Sequence, residues 1–410
     1  MATDFFTTNT DSLAGFIAAM EQKQRPVTVV SFGDSMAEAY NTASFHLMNR
    51  LVTKAGIAGY SMDNYFNTAM YSIANGAYVI EPDAMWFAHY FAIPPGATLS
   101  WNTQTNAAGI YCNSTAIFYV AHSGGGQFRF SVSTNGGPWV TKLLLDGYSP
   151  TPVGRFAKVT LQPNNYRIRL DGEVGTNYIV GPQHLSSQTG GVNVVFASYP
   201  GISLGGVTNV PLAIRQPIFA ALNPDLIVWH MKEPPDGLFD RMEECERWWS
   251  NSAPNTAVIY IGTPWAYNDT FTTQTLDQNA VVRNIAVKYH RTYVDLMQPT
   301  INYSWLQTNG FLADQVHLTS VGGLYCANLM WDDLGFFSIG LNKKLSLTKA
   351  GSQLSLSYTT TNGAIYRLEA STNLQTWSGV VTNPAGNATI TTNFPSPATR
   401  AYYRLGLSPH

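Results

Sequence analysis

Apolar and polar positions change rhythm several times along the chain. Residues 11–21 set Leu13, Phe16, Ile17 and Met20 at helical spacing, with Asp11 or Ser12 as cap. Residues 26–32 (PVTVVSF) form a β-branched apolar run, the pattern of a parallel strand buried on both faces. Residues 40–55 return to helical spacing, with Phe45, Met48, Leu51 and Val52 inward.

From about residue 77 the texture changes. Short strand-like runs at 110–111, 116–121, 127–132 and 166–170 are separated by turn clusters. These are Pro94-Pro95-Gly96, Gly124-Gly125-Gly126, Asn135-Gly136-Gly137 and Pro163-Asn164-Asn165. Several short strands without a long helical pattern predict a β-sandwich over 77–190. At residue 191 strands and helices alternate again. Strands are expected at 193–198, 225–230, 257–262 and 292–296, and helices at 209–222, 238–250, 275–290 and 320–334. That alternation predicts a doubly wound α/β domain of flavodoxin-like type, with a parallel sheet covered on both faces. Its two parts, 1–76 and 191–340, enclose the sandwich as an insertion. Past residue 341 the runs 345–347, 354–358, 365–370, 388–391 and 401–405, with turns at Asn362-Gly363 and Gly386-Asn387, predict a small C-terminal β-sandwich over 341–410.

Composition narrows the function classes. A net charge of −2 over 410 residues offers no basic field for nucleic acid. Charged residues make up 12% of the chain, against about 25% in ordinary soluble proteins, and polar uncharged and aromatic residues fill the gap. Cys112, Cys245 and Cys326 are far apart and form no CxxC or CxxH, so they read as buried free thiols, with a single bridge as the alternative, rather than a zinc site. No run of 18 apolar residues is present to span a membrane. The first residues lack the basic and apolar regions of a signal peptide.

Two short segments carry candidate chemistry. Gly33-Asp34-Ser35 follows the first predicted strand, and ligands of doubly wound sheets bind at the carboxyl ends of strands. A helix starting there would aim the Ser35 N–H at a substrate oxyanion. Alone, the tripeptide reads equally as a turn. Asp314-Gln315-Val316-His317 precedes Thr319 and Ser320, either of which can cap the last helix. The aspartate can fold back on the imidazole, or simply cap while the histidine faces solvent. Together they supply a hydroxyl, a base and a carboxylate to orient the base. His46, His89, His122, His184 and His290 have no metal-like spacing and read as structural or surface residues. Glu38 and Tyr40 either line a cleft or pack beside it. Asp236 and Asp240 read as capping or solvated charges. Trp101, Trp139, Trp229, Trp248, Trp249 and Trp265 either stack on sugar rings or fill cores.

In this setting the chain resembles the SGNH (GDSL-type) hydrolase superfamily. The first block is Val29-Val30-Ser31-Phe32-Gly33-Asp34-Ser35, and the last runs from Asp314 through His317 to Gly322. Between them Pro200-Gly201-Ile202-Ser203-Leu204-Gly205-Gly206-Val207-Thr208 looks like the family's glycine block. The resemblance covers the α/β part only. It implies Ser35 as nucleophile, His317 as general base and Asp314 as its orienter. It also implies an oxyanion hole from the Ser35 N–H, a glycine N–H and an asparagine side chain. Gly205 or Gly206 would give the second donor, and Gly201 is not excluded. The asparagine of the third block is missing from Trp229-His230-Met231-Lys232-Glu233. Lys232 takes its place, or the donor comes from Asn209 or His230, or it is lost.

The layout is similar to that of bacterial carbohydrate and peptidoglycan O-acetylesterases with a carbohydrate-binding-like insertion. It implies a serine esterase that removes O-acetyl groups from a polysaccharide without metal or organic cofactor, at a secreted or cell-surface location. Its partner would be an acetylated glycan or other small ester. A lipase or general esterase, an O-acetyltransferase, and a non-catalytic glycan-binding protein with a decayed hydrolase domain are the alternatives.

Overall fold

The computed structural model describes residues 7–38, 42–61, 71–103, 111–134, 136–186, 190–265, 269–336, 346–350, 353–359, 365–372, 378–383, 389–395 and 402–408. Tyr40, the side chain of Glu38 and the turns at Asn362-Gly363 and Gly386-Asn387 lie outside the described residues. The chain forms two compact units, Met1–Phe336 and Phe337–His410.

The first unit is built on a mixed sheet with six parallel strands side by side. Their order is Ile57–Ser61, Val192–Ser198, Val27–Gly33, Leu226–His230, Ala257–Gly262, Thr292–Asp295. Every residue of Val27–Gly33 is buried, as are those of both strands that follow it in this order. This is why these segments read as unbroken apolar runs in the sequence. The first of these six in the chain, Val27–Gly33, is central. Its two successors lie to one side and the next three to the other. The winding direction therefore reverses beside Val27–Gly33, and the crevice this opens faces the strand's carboxyl end.

The inserted segment continues the same sheet. Asn177–Ser186 pairs antiparallel with Ile57–Ser61, and then with Tyr90–Ile93 and Cys112–Ala121; Val153–Asn164 closes that end on Cys112–Ala121. A second, antiparallel sheet of five strands contains Thr98–Asn102, Gln127–Thr134 and Tyr166–Gly172. Phe91, Ile117, Tyr119 and Ile179 of the large sheet share one core with Leu99, Phe128, Phe130, Ile168 and Leu170 of the second. On the opposite face the helix Leu212–Leu222 sits on Val153–Asn164. A Cβ on Gly154 would lie 2.0 Å from the Ile214 carbonyl oxygen, so only glycine permits this approach.

The expected helix 209–222 is two helices, Leu204–Asn209 and Leu212–Leu222. Pro211 has no N–H to donate to a preceding turn, and the break falls there. The three cysteines are buried and free. Trp101, Trp229, Trp248 and Trp249 are buried core residues, whereas Trp139 and Trp265 retain exposure. Trp139 lies under the guanidinium groups of Arg167 and Arg169, and Trp265 donates its indole N–H to the Met297 carbonyl.

The second unit contains two three-stranded antiparallel sheets. One joins Ser346–Ala350, Gln353–Thr359 and Thr389–Pro395; the other joins Ser378–Asn383, Ile365–Ser371 and Tyr402–Ser408. Leu354, Leu356 and Leu368 are buried in it.

His184 makes stability depend on pH. It accepts the Trp101 indole N–H at 2.8 Å and lies 2.9 Å from Thr115 Oγ1. Burial pushes its pKa down to about 3, against about 6.5 in an unfolded chain. Between those values the unfolded chain binds a proton that the folded chain refuses. Stability tied to His184 is thus intact above pH 6.5 and is lost as pH falls toward 3. His184→Gln removes this proton. The stability difference between pH 6 and pH 4 should shrink, by about 1.4 kcal/mol per pH unit, in urea unfolding at the two pH values.

Candidate active site

Gly33 is the last residue of the central strand, and its position requires glycine. A Cβ there would lie 1.9 Å from the His230 carbonyl oxygen of the neighbouring strand. Asp34 then turns the chain. Its Oδ1 accepts the Met36 N–H at 2.8 Å and its Oδ2 accepts the Lys232 N–H at 3.1 Å. Asp34 thereby ties the first block to the third. Burial drives its pKa up to about 6 against the opposing effect of those two N–H groups. Ser35 opens the short helix Ser35–Glu38, where backbone N–H groups have no intrahelical acceptor.

His317 comes from the loop before the helix Ser320–Asp333. Thr319 Oγ1 accepts the Gly322 N–H at 3.1 Å and so caps that helix. The Ala313 N–H donates to the His317 carbonyl, which folds the loop into a tight turn. Ser35 Oγ lies 2.8 Å from His317 Nε2, and His317 Nδ1 lies 2.7 Å from Asp314 Oδ2. The other Asp314 oxygen accepts the N–H groups of Val316 and His317. Partial burial, the largest single influence, raises the Asp314 pKa, but these bonds and the imidazole outweigh it and hold the carboxyl below its usual range. An ionised Asp314 fixes the proton on Nδ1 and leaves the Nε2 lone pair facing the hydroxyl.

The second block forms the start of Leu204–Asn209. Ser203 caps it by accepting the Gly206 N–H at 3.1 Å, while the Leu204 N–H donates to the Glu233 carboxylate. Among the described residues the Gly205 N–H has no acceptor. The Arg241 guanidinium carbon lies 4.0 Å from the place of a Gly205 Cβ. Asn209 is exposed at the far end of the same helix.

The third block divides by burial. His230 is fully buried, with Nδ1 3.4 Å from Ser44 Oγ, and burial pushes its pKa down to about 3. It is a neutral side chain behind the turn at Ser35. Lys232 is half-buried. Burial lowers its pKa, while the charges of Asp34 and Asp314 oppose that shift, so its ammonium group lies in the field of both. Glu233 had no signal in the sequence. It is buried against the second block, and its N–H is held by Gln278 Oε1 at 3.1 Å. Among the other histidines, His46 lies 3.3 Å from Ser320 Oγ, His290 pairs with Asp11, and His122 stacks on Tyr178.

No protein-family model matches the sequence, and no curated protein matches it. Among solved structures, a peptidoglycan O-acetylesterase superposes with a TM-score of 0.56 at 15% identity, covering 81% of this chain and 99% of that one. A family two carbohydrate esterase from Clostridium thermocellum matches at 0.26 and 10% identity, over 64% of this chain and 99% of that one. A GDSL-like lipase from Parabacteroides merdae matches at 0.30 and 12% identity, over 35% of this chain and 73% of that one. The last two scores are too low to establish a shared fold. The first joins the sheet order and the turn at Ser35 in pointing one way: the chain has an SGNH hydrolase-like fold.

Proposed function

We propose that the chain is a serine ester hydrolase that removes O-acetyl groups from a polysaccharide. The observation that carries this reading is the Ser35–His317–Asp314 chain of short contacts at the reversal point of the sheet. Ser35 Oγ attacks the ester carbonyl carbon while His317 Nε2 takes its proton. The tetrahedral intermediate collapses, His317 returns the proton to the departing sugar oxygen, and an acetyl-serine remains. Water attacks that ester with the same assistance and acetate leaves. No step calls on a metal or organic cofactor.

The oxyanion is served by the Ser35 N–H and the Gly205 N–H. Gly206 is set aside because its N–H is given to Ser203. Lys232 stands in for the family's asparagine, its charge aimed at the developing negative oxygen. Lys232→Met should then lower kcat by about 10²-fold, with a smaller change in KM. A steady-state comparison that finds kcat within threefold of wild type would leave a two-donor hole.

The acetyl-sugar substrate is drawn from the O-acetylesterase whose fold the chain shares. A secreted or cell-surface location belongs to the same reading, because that is where such a polysaccharide is met. The two-sheet insertion is read as a carbohydrate-binding type of β-sandwich, and the second unit as an accessory β-sandwich. Acetate release from O-acetylated polysaccharides, beside a chain-length series of p-nitrophenyl esters, tests the reading. Acetate release with a preference for short acyl chains supports it. Hydrolysis of long-chain esters alone would turn it toward a lipase, and acetyl transfer to added glycan would turn it toward an acetyltransferase.

A further inference from the structure

The mechanism leaves one ordered, charged group beside the nucleophile turn unused. Glu81 belongs to the inserted segment, and its side chain is 76% exposed. Such a side chain is ordinarily loose, but this one is held by two donors on the same oxygen. Tyr199 Oη donates to Oε2 at 2.7 Å, and His89 Nε2 lies 3.0 Å from that atom. The rings of Tyr199 and His89 meet edge to face, with centroids 4.8 Å apart. Among the described residues, Oε1 has no partner.

The support beneath this group is rigid. Trp86 stacks on Phe87, and Phe87 meets Phe32 of the central strand, all three buried. Tyr90 Oη and the Met85 N–H both donate to Asp83. The place is also fixed relative to the chemistry. Tyr199 directly follows the strand Val192–Ser198, and its N–H donates to the Gly33 carbonyl at 3.1 Å, two residues before Ser35. Glu81 therefore stands one tyrosine side chain away from the nucleophile turn, on the second-block side.

We propose that Glu81 is a substrate-binding residue contributed by the insertion, whose free oxygen accepts hydrogen bonds from hydroxyls of the sugar ring next to the scissile ester. A carboxylate with one oxygen pinned presents the other in a fixed direction, so little freedom is lost when a hydroxyl docks. The same charge disfavours a uronate at that position. Tyr199 and His89 hold Glu81 below the usual carboxylate range, which keeps it an acceptor. This inference rests on the sugar-ester reading above, and names the ring it takes as neutral and hydroxylated.

The test compares wild type, Glu81→Gln and Tyr199→Phe on p-nitrophenyl acetate and on a partly O-acetylated neutral xylan. The ratio of kcat/KM for xylan to that for the aryl ester should fall about tenfold in Glu81→Gln, mainly through KM. It should fall less, about threefold, in Tyr199→Phe, where the carboxylate remains but is less fixed. A ratio within twofold of wild type in Glu81→Gln, or an equal loss on both substrates, overturns the proposal and leaves Glu81 a structural tie. Calorimetric titration with unacetylated xylo-oligosaccharide reads the same site without catalysis. An equal Kd for wild type and Glu81→Gln overturns the proposal, and a Kd raised about tenfold supports it. If wild type cleaves neither ester and a serine-directed phosphonate leaves Ser35 unlabelled, the esterase reading is what fails, and the titration still decides the role of Glu81.

Discussion

Alanine at position 35 is expected to lower kcat for ester hydrolysis by about 10⁴-fold or more while leaving the melting temperature within about 2 °C of wild type. The asymmetry follows from what the side chain touches. Ser35 Oγ is half-buried and meets the His317 imidazole at 2.8 Å, so its removal opens no core cavity. On the proposed mechanism, catalysis loses its covalent intermediate entirely. What remains is the stabilisation that backbone N–H groups give to water attack, about 10³–10⁴ over the uncatalysed rate. His317→Ala should cost about as much, and the double variant little more, because base and nucleophile act as one unit. Burst-phase and steady-state assays with an aryl acetate check this. A Ser35→Ala enzyme that keeps a tenth of wild-type activity would remove Ser35 from the chemistry.

Gly33→Ala is expected to cost about 3 kcal/mol or more of stability, a result outside the ordinary range for one methyl group. The added Cβ would meet the His230 carbonyl oxygen at 1.9 Å and the Ala37 Cβ at 2.9 Å. The first obstacle is backbone, so no rotamer change relieves it. The strands Val27–Gly33 and Leu226–His230 must part at the point where they are paired, His230 opposite Gly33. That movement also pulls on the bond from the Lys232 N–H to Asp34. Stability and activity should therefore fall together. Urea unfolding with far-UV circular dichroism measures the first. A variant within 1 kcal/mol of wild type would mean that the two strands adjust far more freely than their full burial suggests.

Five of the six parallel strands were legible because burial on both faces removes the polar half of the pattern, and residues 26–32 need no partner to be recognised; the sixth, Ile57–Ser61, was not. Val153–Asn164 and Asn177–Ser186 were not legible. The first is exposed at intervals, and in both of them glycine and proline (Gly154, Pro163, Gly181 and Pro182) read as breaks. In the fold Gly154 makes room for a helix, and the chain crosses to the second sheet at Asn165, after the strand has run through Pro163. The pairing of Asn177–Ser186 with Ile57–Ser61 joins distant residues, and no local pattern encodes it. The same division holds at the site. Gly33-Asp34-Ser35 and Asp314-x-x-His317 are compact enough to read. Ser203 three residues before Gly206 was readable as a helix cap, which would have set Gly206 aside at once. Glu233 against Leu204 and Glu81 against Tyr199 are matters of folding distance, and the latter pair is 118 residues apart.

The central strand has a consequence for how the chain is made. Both of its neighbours come from beyond the insertion. Thr28 is bonded to Asn193 across 165 residues, and Asp34 to Lys232 across 198. At ribosomal speeds of about 5–20 residues per second, the apolar strand waits roughly ten to thirty seconds for its first partner. During that interval it is an unpaired, sticky edge, and a nascent-chain holding factor would find its binding site there. On the proposed mechanism, activity also needs a contact across 282 residues, between Ser35 and His317. Regained activity should accordingly be among the last signals to appear on refolding, after the far-UV signal has returned.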